Sequence, residues 1–286
     1  MNYFLLFVSV FTDTFKNIYY NHFSNGILKS NKDAMLFNAV CGIGSVLFFL
    51  CIGCQIKISL FSMSLAVIFA VITASAQYFS IMALATGSMS YSILFTYIGM
   101  IIPTIFGILR YHQPINAVQI AGFVLMIVTL YFGAGIKKNE NINKKWFLYA
   151  MVSFVAWGLV GVVQQIHQNS EFAGEIKGFL LWTFVFLTII FFGIYALMKK
   201  TDDDGYKIKS KTTFPILLSG IIIGAVNLIN LDLSAKIPSI ILFPILNGGV
   251  IVLSGLAALL IFKERLTKQQ YLGIILGIIS TCLLGM

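Results

Sequence analysis

Residues 110–133 read RYHQPINAVQIAGFVLMIVTLYFG, and residues 262–285 read FKERLTKQQYLGIILGIISTCLLG. Each stretch opens on a short basic gap. Each then has a glutamine, Gln119 or Gln270, followed three residues later by Gly122 or Gly273. Each closes on a threonine-led pentapeptide, Thr129–Gly133 or Thr281–Gly285. Upstream, Val8-Ser9 pairs with Val152-Ser153, so the offset stays between 144 and 152 residues along the chain. Self-similarity at a fixed period marks a duplicated architecture.

The material between these markers is apolar. Of the 286 residues 59% are hydrophobic and 10% charged, with mean hydropathy +0.93. Soluble domains carry about a quarter charged residues, so lipid is the implied solvent. Apolar runs long enough to cross a bilayer, about 20 residues each, recur at 2–22, 34–54, 64–84, 90–109, 115–135, 146–166, 178–198, 214–234, 239–262 and 268–286. The runs are continuous rather than alternating, which predicts helices and not barrel strands. The first run lacks a basic lead and a small-x-small cleavage site, so it reads as a retained span. The expectation is an all-α integral membrane protein of ten transmembrane helices. Residues 1–136 form one five-helix repeat, 137–145 a linker loop and 146–286 a second repeat. An odd number of helices per repeat places the halves in opposite orientation, the inverted plan of many secondary transporters.

Charge follows the same plan. Eighteen of the 19 Lys and Arg fall in or beside the gaps between runs, as topology and headgroup anchors rather than a nucleic-acid surface. Odd-numbered loops carry fourteen and even-numbered loops four, which predicts both termini outside. Cys41, Cys51, Cys54 and Cys282 lie in or beside apolar runs and read as small apolar residues. No metalloprotease, phosphate-binding or nucleophile motif is present, and His22, His112 and His167 stand apart. No enzyme, cofactor or metal is expected.

Polar residues inside the runs are the functional candidates. Asp13 and Lys16 lie near the middle of span 1, with Asn17 beside them, and positions 13, 16 and 17 share a helical face. Each charge costs about 2.5–3.5 kcal/mol at mid-bilayer. One reading is a mutually satisfied pair that locks helices, or a lysine that snorkels to the interface. The other is a solute or proton site. Asn227, Asn230 and Ser234 form a stripe in span 8 that either binds solute or bonds between helices. Gln77 in span 3, Tyr97 in span 4, Trp157 and Gln164 in span 6, and Asn247 in span 9 complete the set. Pro103, and Pro244 with Gly248-Gly249, could weaken their helices and free carbonyls. Gly220-x-x-x-Gly224 and Gly273-x-x-x-Gly277 predict close helix packing within a monomer.

The segment Ile261–Gly273, the Trp157-Gly158 pair and the five-plus-five duplication resemble the drug/metabolite transporter superfamily in its ten-helix EamA-type form. The resemblance implies a carrier of a small polar or charged metabolite, working by alternating access in a cell membrane. It leaves solute, direction and proton coupling open. It also implies a central cavity among spans 1, 3, 4, 6, 8 and 9. The first half departs from the pattern, with Asp13-Thr14 in place of the Trp-Gly pair and Gln113 in place of Glu264. Span 1 is similar to the single-repeat small multidrug resistance proteins, whose first helix carries a membrane carboxylate. That likeness implies a proton or cation role for Asp13. The alternatives to a carrier are a channel, a scaffold or a membrane-embedded enzyme.

Overall fold

The structure, a computed structural model, describes residues 2–27, 30–87, 89–133, 144–198, 210–260 and 267–286. Among them the secondary structure is helical, with no strand. The helices are α1 (Asn2–Ile27), α2 (Asn31–Cys51), α3 (Leu60–Thr86), α4 (Met89–Ile98), α5 (Ile101–Tyr111), α6 (Ala117–Gly133), α7 (Lys144–Gln168), α8 (Ile176–Leu197), α9 (Ser210–Leu233), α10 (Ser239–Leu260) and α11 (Lys268–Leu284). A one-turn 3-10 helix, Ala173–Glu175, precedes α8. Each of the ten expected runs coincides with a helix, or in span 4 with the pair α4 and α5. Among the described residues seven helical stretches are long and apolar enough to cross a membrane, and two more, Ala117–Phe132 and Lys268–Leu284, are apolar but shorter. The basic loops expected at 137–145 and 199–211 lie almost wholly outside the described residues, as do residues 261–266 of the closing segment.

The sequence repeat has a local physical cause. Gln119 and Gln270 are each the third residue of a helix and close a capping box. Asn116 Oδ1 accepts from the Gln119 N–H at 2.7 Å, and Gln119 Oε1 accepts from the Asn116 N–H at 3.3 Å. Thr267 and Gln270 do the same ahead of α11, at 3.3 and 2.9 Å. Such a box satisfies two of the donors that a helix start leaves bare. Ser30 and Asp33 cap α2 in the same way.

The chain divides into two compact units. One holds Met1–Thr14, Ser75–Gln165 and Leu233–Met286, the other Phe15–Ala74 and Ile166–Asp232. The boundaries fall inside α1, α3, α7 and α9, so each unit draws on both halves of the sequence.

In the second unit α2 and α8 run antiparallel. Lys32, in the first turn of α2, donates to the Met198 carbonyl past the end of α8 at 2.7 Å. Lys177, in the first turn of α8, lies 3.5 Å from the Gly53 carbonyl past the end of α2. Phe49 stacks on Phe184 between them. Helices α2 and α9 run parallel and touch backbone to backbone at Gly44 and Gly220. There Ser45 Oγ donates to the Gly220 carbonyl at 2.7 Å, and Phe37, Val40, Cys41 and Ile216 close the core beside it.

In the first unit α6 and α11 run antiparallel. Ser280 Oγ donates to the Gly122 carbonyl at 2.7 Å, and Gly277 faces Thr129 and Val252. Gly220, Gly224 and Gly277 thus serve contacts within the chain, as expected of small residues at helix crossings. Trp146 is buried against Ala83 and Ala150, and its Nε1 donates to Ser92 Oγ at 2.8 Å.

Candidate functional site

The site residues of the first unit gather around an interruption of span 4. Helix α4 ends at Ile98 and α5 begins at Ile101. Between them Met100 donates to the Tyr97 carbonyl at 3.2 Å and Ile102 to the Gly99 carbonyl at 3.1 Å, so the bonding tightens to a 3-10 turn. Pro103 follows at once and has no N–H with which to restore the α pattern. The break rests on α7. A side chain at Gly99 would press on the Phe154 carbonyl at 3.0 Å, one at Gly158 would strike Ile102, and one at Gly161 would meet Pro103 at 2.7 Å. Gly158 of the Trp-Gly pair is therefore a packing residue, and the break sets Tyr97 in the last turn of α4. The expectation that Pro103 interrupts its helix holds. At Pro244 and Gly248-Gly249 α10 runs unbroken, although Pro244 has no N–H for the carbonyl one turn back. Those glycines instead admit neighbours: Gly248 faces Met126 and Gly249 faces Val10 of α1 at 2.9 Å.

Trp157 is half-buried and its Nε1 donates to Ser80 Oγ at 3.0 Å. Ser80 in turn lies 2.6 Å from Ser153 Oγ. The indole is thereby fixed, and its one donor is spent inside the unit. The variant Ser80→Ala strands that donor and is expected to lower stability by about 1–2 kcal/mol. A chemical or thermal melt in detergent checks this, with an unchanged midpoint as the contrary result.

Asn247 donates its Nδ2 to the Phe243 carbonyl one turn back at 2.9 Å, and its Oδ1 has no hydrogen bond among the described residues. Asn227, in the second unit, repeats the arrangement with the Ile223 carbonyl at 2.9 Å. Both amides present mainly an acceptor. Gln164 is buried, its carbonyl accepting from Ser234 Oγ at 3.5 Å, yet its amide makes no hydrogen bond to a described residue. Asp13, Gln77, Tyr97 and Asn230 are half-buried in their helices. The side chains of Lys16 and Asn17 lie outside the described residues, so the expected Asp13–Lys16 pairing stays a sequence expectation. Asp13, Gln77, Tyr97, Trp157, Gln164 and Asn247 belong to the first unit, Asn227 and Asn230 to the second. The span 8 stripe is accordingly divided, since Ser234 belongs to the first.

Next to Gln164 lies a network that the polar pattern did not single out. Gln165 has no exposed surface. Its Nε2 donates to the Pro103 carbonyl at 2.8 Å and its Oε1 accepts from Ser239 Oγ at 2.7 Å. Ser239 donates its N–H to Gln113 Oε1 at 2.7 Å. These bonds tie the segment after the break to the first turn of α10. Adjacent glutamines are indistinguishable in one sequence, and only their partners separate them. Among the described residues no cluster of three His, Cys, Asp or Glu could hold a metal.

Comparison with known proteins agrees with this architecture. A crystal structure of another protein superposes with a TM-score of 0.77 at 12% identity, over 98% of this chain and 94% of that one, which is a likeness of fold. An uncharacterized protein of Haemophilus influenzae (strain ATCC 51907 / DSM 11121 / KW20 / Rd) is 24% identical over 190 residues, 63% of this chain. The alignment spans 61% of that relative's length. The EamA-like transporter family matches residues 144–286, half of the chain. The chain is a multi-pass membrane protein and belongs to the EamA-like transporter family.

Proposed function

We propose that the protein is a secondary transporter that moves a small polar or charged metabolite across the cell membrane by alternating access, through ten spans arranged as two inverted five-helix repeats. The observation that carries the reading is the reciprocal lysine contact. Lys32 and Lys177 are 145 residues apart, as are Gly53 and Met198 whose carbonyls they meet. A contact that repeats itself with partners exchanged is the mark of a two-fold relation. A two-fold relating the antiparallel helices α2 and α8 would set the halves in opposite orientation, which supports the inverted plan. Helix starts support the same duplication, at offsets running from 142 (Asn2 to Lys144) to 151 (Ala117 to Lys268). The direction of each contacting pair also matches its span numbers: spans 2 and 8 are parallel, spans 2 and 7 and spans 5 and 10 antiparallel.

The site residues fit this symmetry. Gln77 and Asn227 are 150 residues apart, as are Tyr97 and Asn247, while Asp13 and Trp157 are 144 apart. We take Asp13, Lys16, Asn17, Gln77, Tyr97, Trp157, Gln164, Asn227, Asn230 and Asn247 as the solute-binding set. An interrupted span beside polar residues is a recurrent transporter feature.

A thermal-shift screen of metabolites on purified protein, followed by counterflow of the hit in proteoliposomes, tests the reading. Counterflow separates a carrier from a channel. The double variant Asp13→Asn, Lys16→Met is expected to reduce counterflow at least about tenfold, the scale of a lost charge-assisted contact. Unchanged counterflow would sink the assignment of the pair. A fall in flux when the proton gradient is collapsed would establish coupling.

A further inference from the structure

Apart from the solute-binding set, the second unit holds a polar chain that runs from half-buried Glu175 and Ser59 to buried Ser62, His167 and Gln168. Ser59 caps α3, its Oγ accepting from the Ser62 N–H at 3.1 Å. Glu175, in the 3-10 turn before α8, accepts the Ser59 N–H at 3.0 and 3.1 Å with its two oxygens. It also accepts the Ser59 hydroxyl at 2.7 Å. Ser62 Oγ lies 3.2 Å from Ser59 Oγ and 3.3 Å from His167 Nε2. His167 Nδ1 lies 3.0 Å from Gln168 Nε2, and the imidazole stacks on Phe179 with centroids 4.1 Å apart. Neither Ser62 nor His167 has exposed surface. Glu175 holds the loop 52–59 on the α7–α8 connection, and α8 itself adds Trp182 Nε1 donating to the Ile56 carbonyl at 2.9 Å and Lys177 near Gly53.

Proton counting defines the state of this chain. Ser59 has one hydroxyl proton, placed to go to the carboxylate or to Ser62 Oγ. The amide N–H of Gln168 makes Nδ1 an acceptor, so the imidazole carries its proton on Nε2 and donates it to Ser62 Oγ. The ring is therefore neutral, and Glu175 accepts as a carboxylate. Glu175 is the charged group bonded to the chain; Lys57, Glu171 and Lys177 on the adjoining segments are exposed.

We propose that this chain is a proton-binding latch, in which proton uptake at Glu175 and His167 releases the loop 52–59 from the α7–α8 connection. A proton from water on a Glu175 oxygen forms an O–H bond that faces the Ser59 donors. A second proton on His167 Nδ1 forms an N–H bond that faces the Gln168 amide N–H. Each replaces an acceptor by a donor, and each returns to water at neutral pH. The latch stands on its own hydrogen bonds; only its use as a gate rests on the transporter reading.

Hydrogen exchange read by mass spectrometry, on the full chain in lipid nanodiscs and corrected for intrinsic rate, tests it. Burial raises the Glu175 carboxyl, but the hydrogen bonds from Ser62 and Ser59 outweigh it and hold the group below the usual carboxylate range. From pH 7.5 to about 3, exchange across residues 57–63 is therefore expected to quicken at least about tenfold, as befits the loss of a bond to an ionised acceptor. Residues 37–49 of α2 serve as the folded reference and stay protected. Glu175→Gln should be open already at pH 7.5 and lose the pH response. Equal protection of the wild type at both pH values overturns the latch, and so does a Glu175→Gln variant as protected as wild type at pH 7.5. Neither result depends on a solute, so a failed counterflow assay leaves the latch standing or falling by itself.

Discussion

Replacing Gly220 by leucine is expected to destabilise the protein by about 3 kcal/mol or more, enough to prevent recovery of folded material, because the new side chain has nowhere to go. A single Cβ at Gly220 already strikes the Cys41 carbonyl and stands 2.9 Å from the Gly44 Cα. These are backbone atoms of α2, which cannot rotate aside as a flexible side chain would. Separating the helices would also break the Ser45–Gly220 hydrogen bond and open the core around Phe37 and Ile216. The comparison is Gly193→Leu in α8. A Cβ there meets nothing within 4 Å, and leucine is the better helix former by several tenths of a kcal/mol. Melting of both variants in the same detergent decides the matter. A Gly220→Leu protein that melts with the wild type would show that α2 and α9 do not cross as described.

The second large effect separates two neighbouring glutamines. Gln165→Leu is expected to cost about 2–4 kcal/mol, because it leaves the Ser239 hydroxyl and the Pro103 carbonyl buried without their partner. Gln164→Leu removes an amide that has no hydrogen bond to a described residue, so its stability cost is expected to be close to zero. In the proposed transporter the order of function reverses. Gln164→Leu should fold and lose affinity for the solute, while Gln165→Leu should lose folded protein first. Thermal melts with and without the ligand found by screening check both halves. Equal melting of the two variants would contradict the network around Ser239.

The residues that made the architecture legible are those whose work is local. The glutamines Gln119 and Gln270 repeat because each closes the capping box of its own helix, a task set by the four residues around it. Apolar runs are legible for the same reason, since bilayer thickness prescribes their length whatever they pack against. Span 4 was legible in part. Pro103 signals a weak point, yet the break falls at Gly99-Met100, where α7 supplies Gly158 and Gly161 as the bed on which it rests.

The candidate site was legible as a set of polar residue types in apolar surroundings, and much less as a set of roles. Trp157 stood out by its pair with Gly158, but its donor goes to Ser80, 77 residues earlier. Asn247 stood out beside Pro244 and two glycines, but the helix stays whole and those glycines receive Met126 and Val10. His167 looked isolated because Ser62, its buried hydroxyl partner, is 105 residues away and Glu175 acts through Ser59.

By itself, then, the sequence determined the membrane setting, the helical content and the ten apolar runs. All of these follow from hydropathy, length and capping within a few residues. Only the tertiary structure decided which glycines are crossings, which glutamine is bonded and which histidine is linked to a carboxylate. Hydrogen bonds and close contacts between helices depend on which residues meet across 54 to 175 positions of chain, and residue type alone does not say who the partner is.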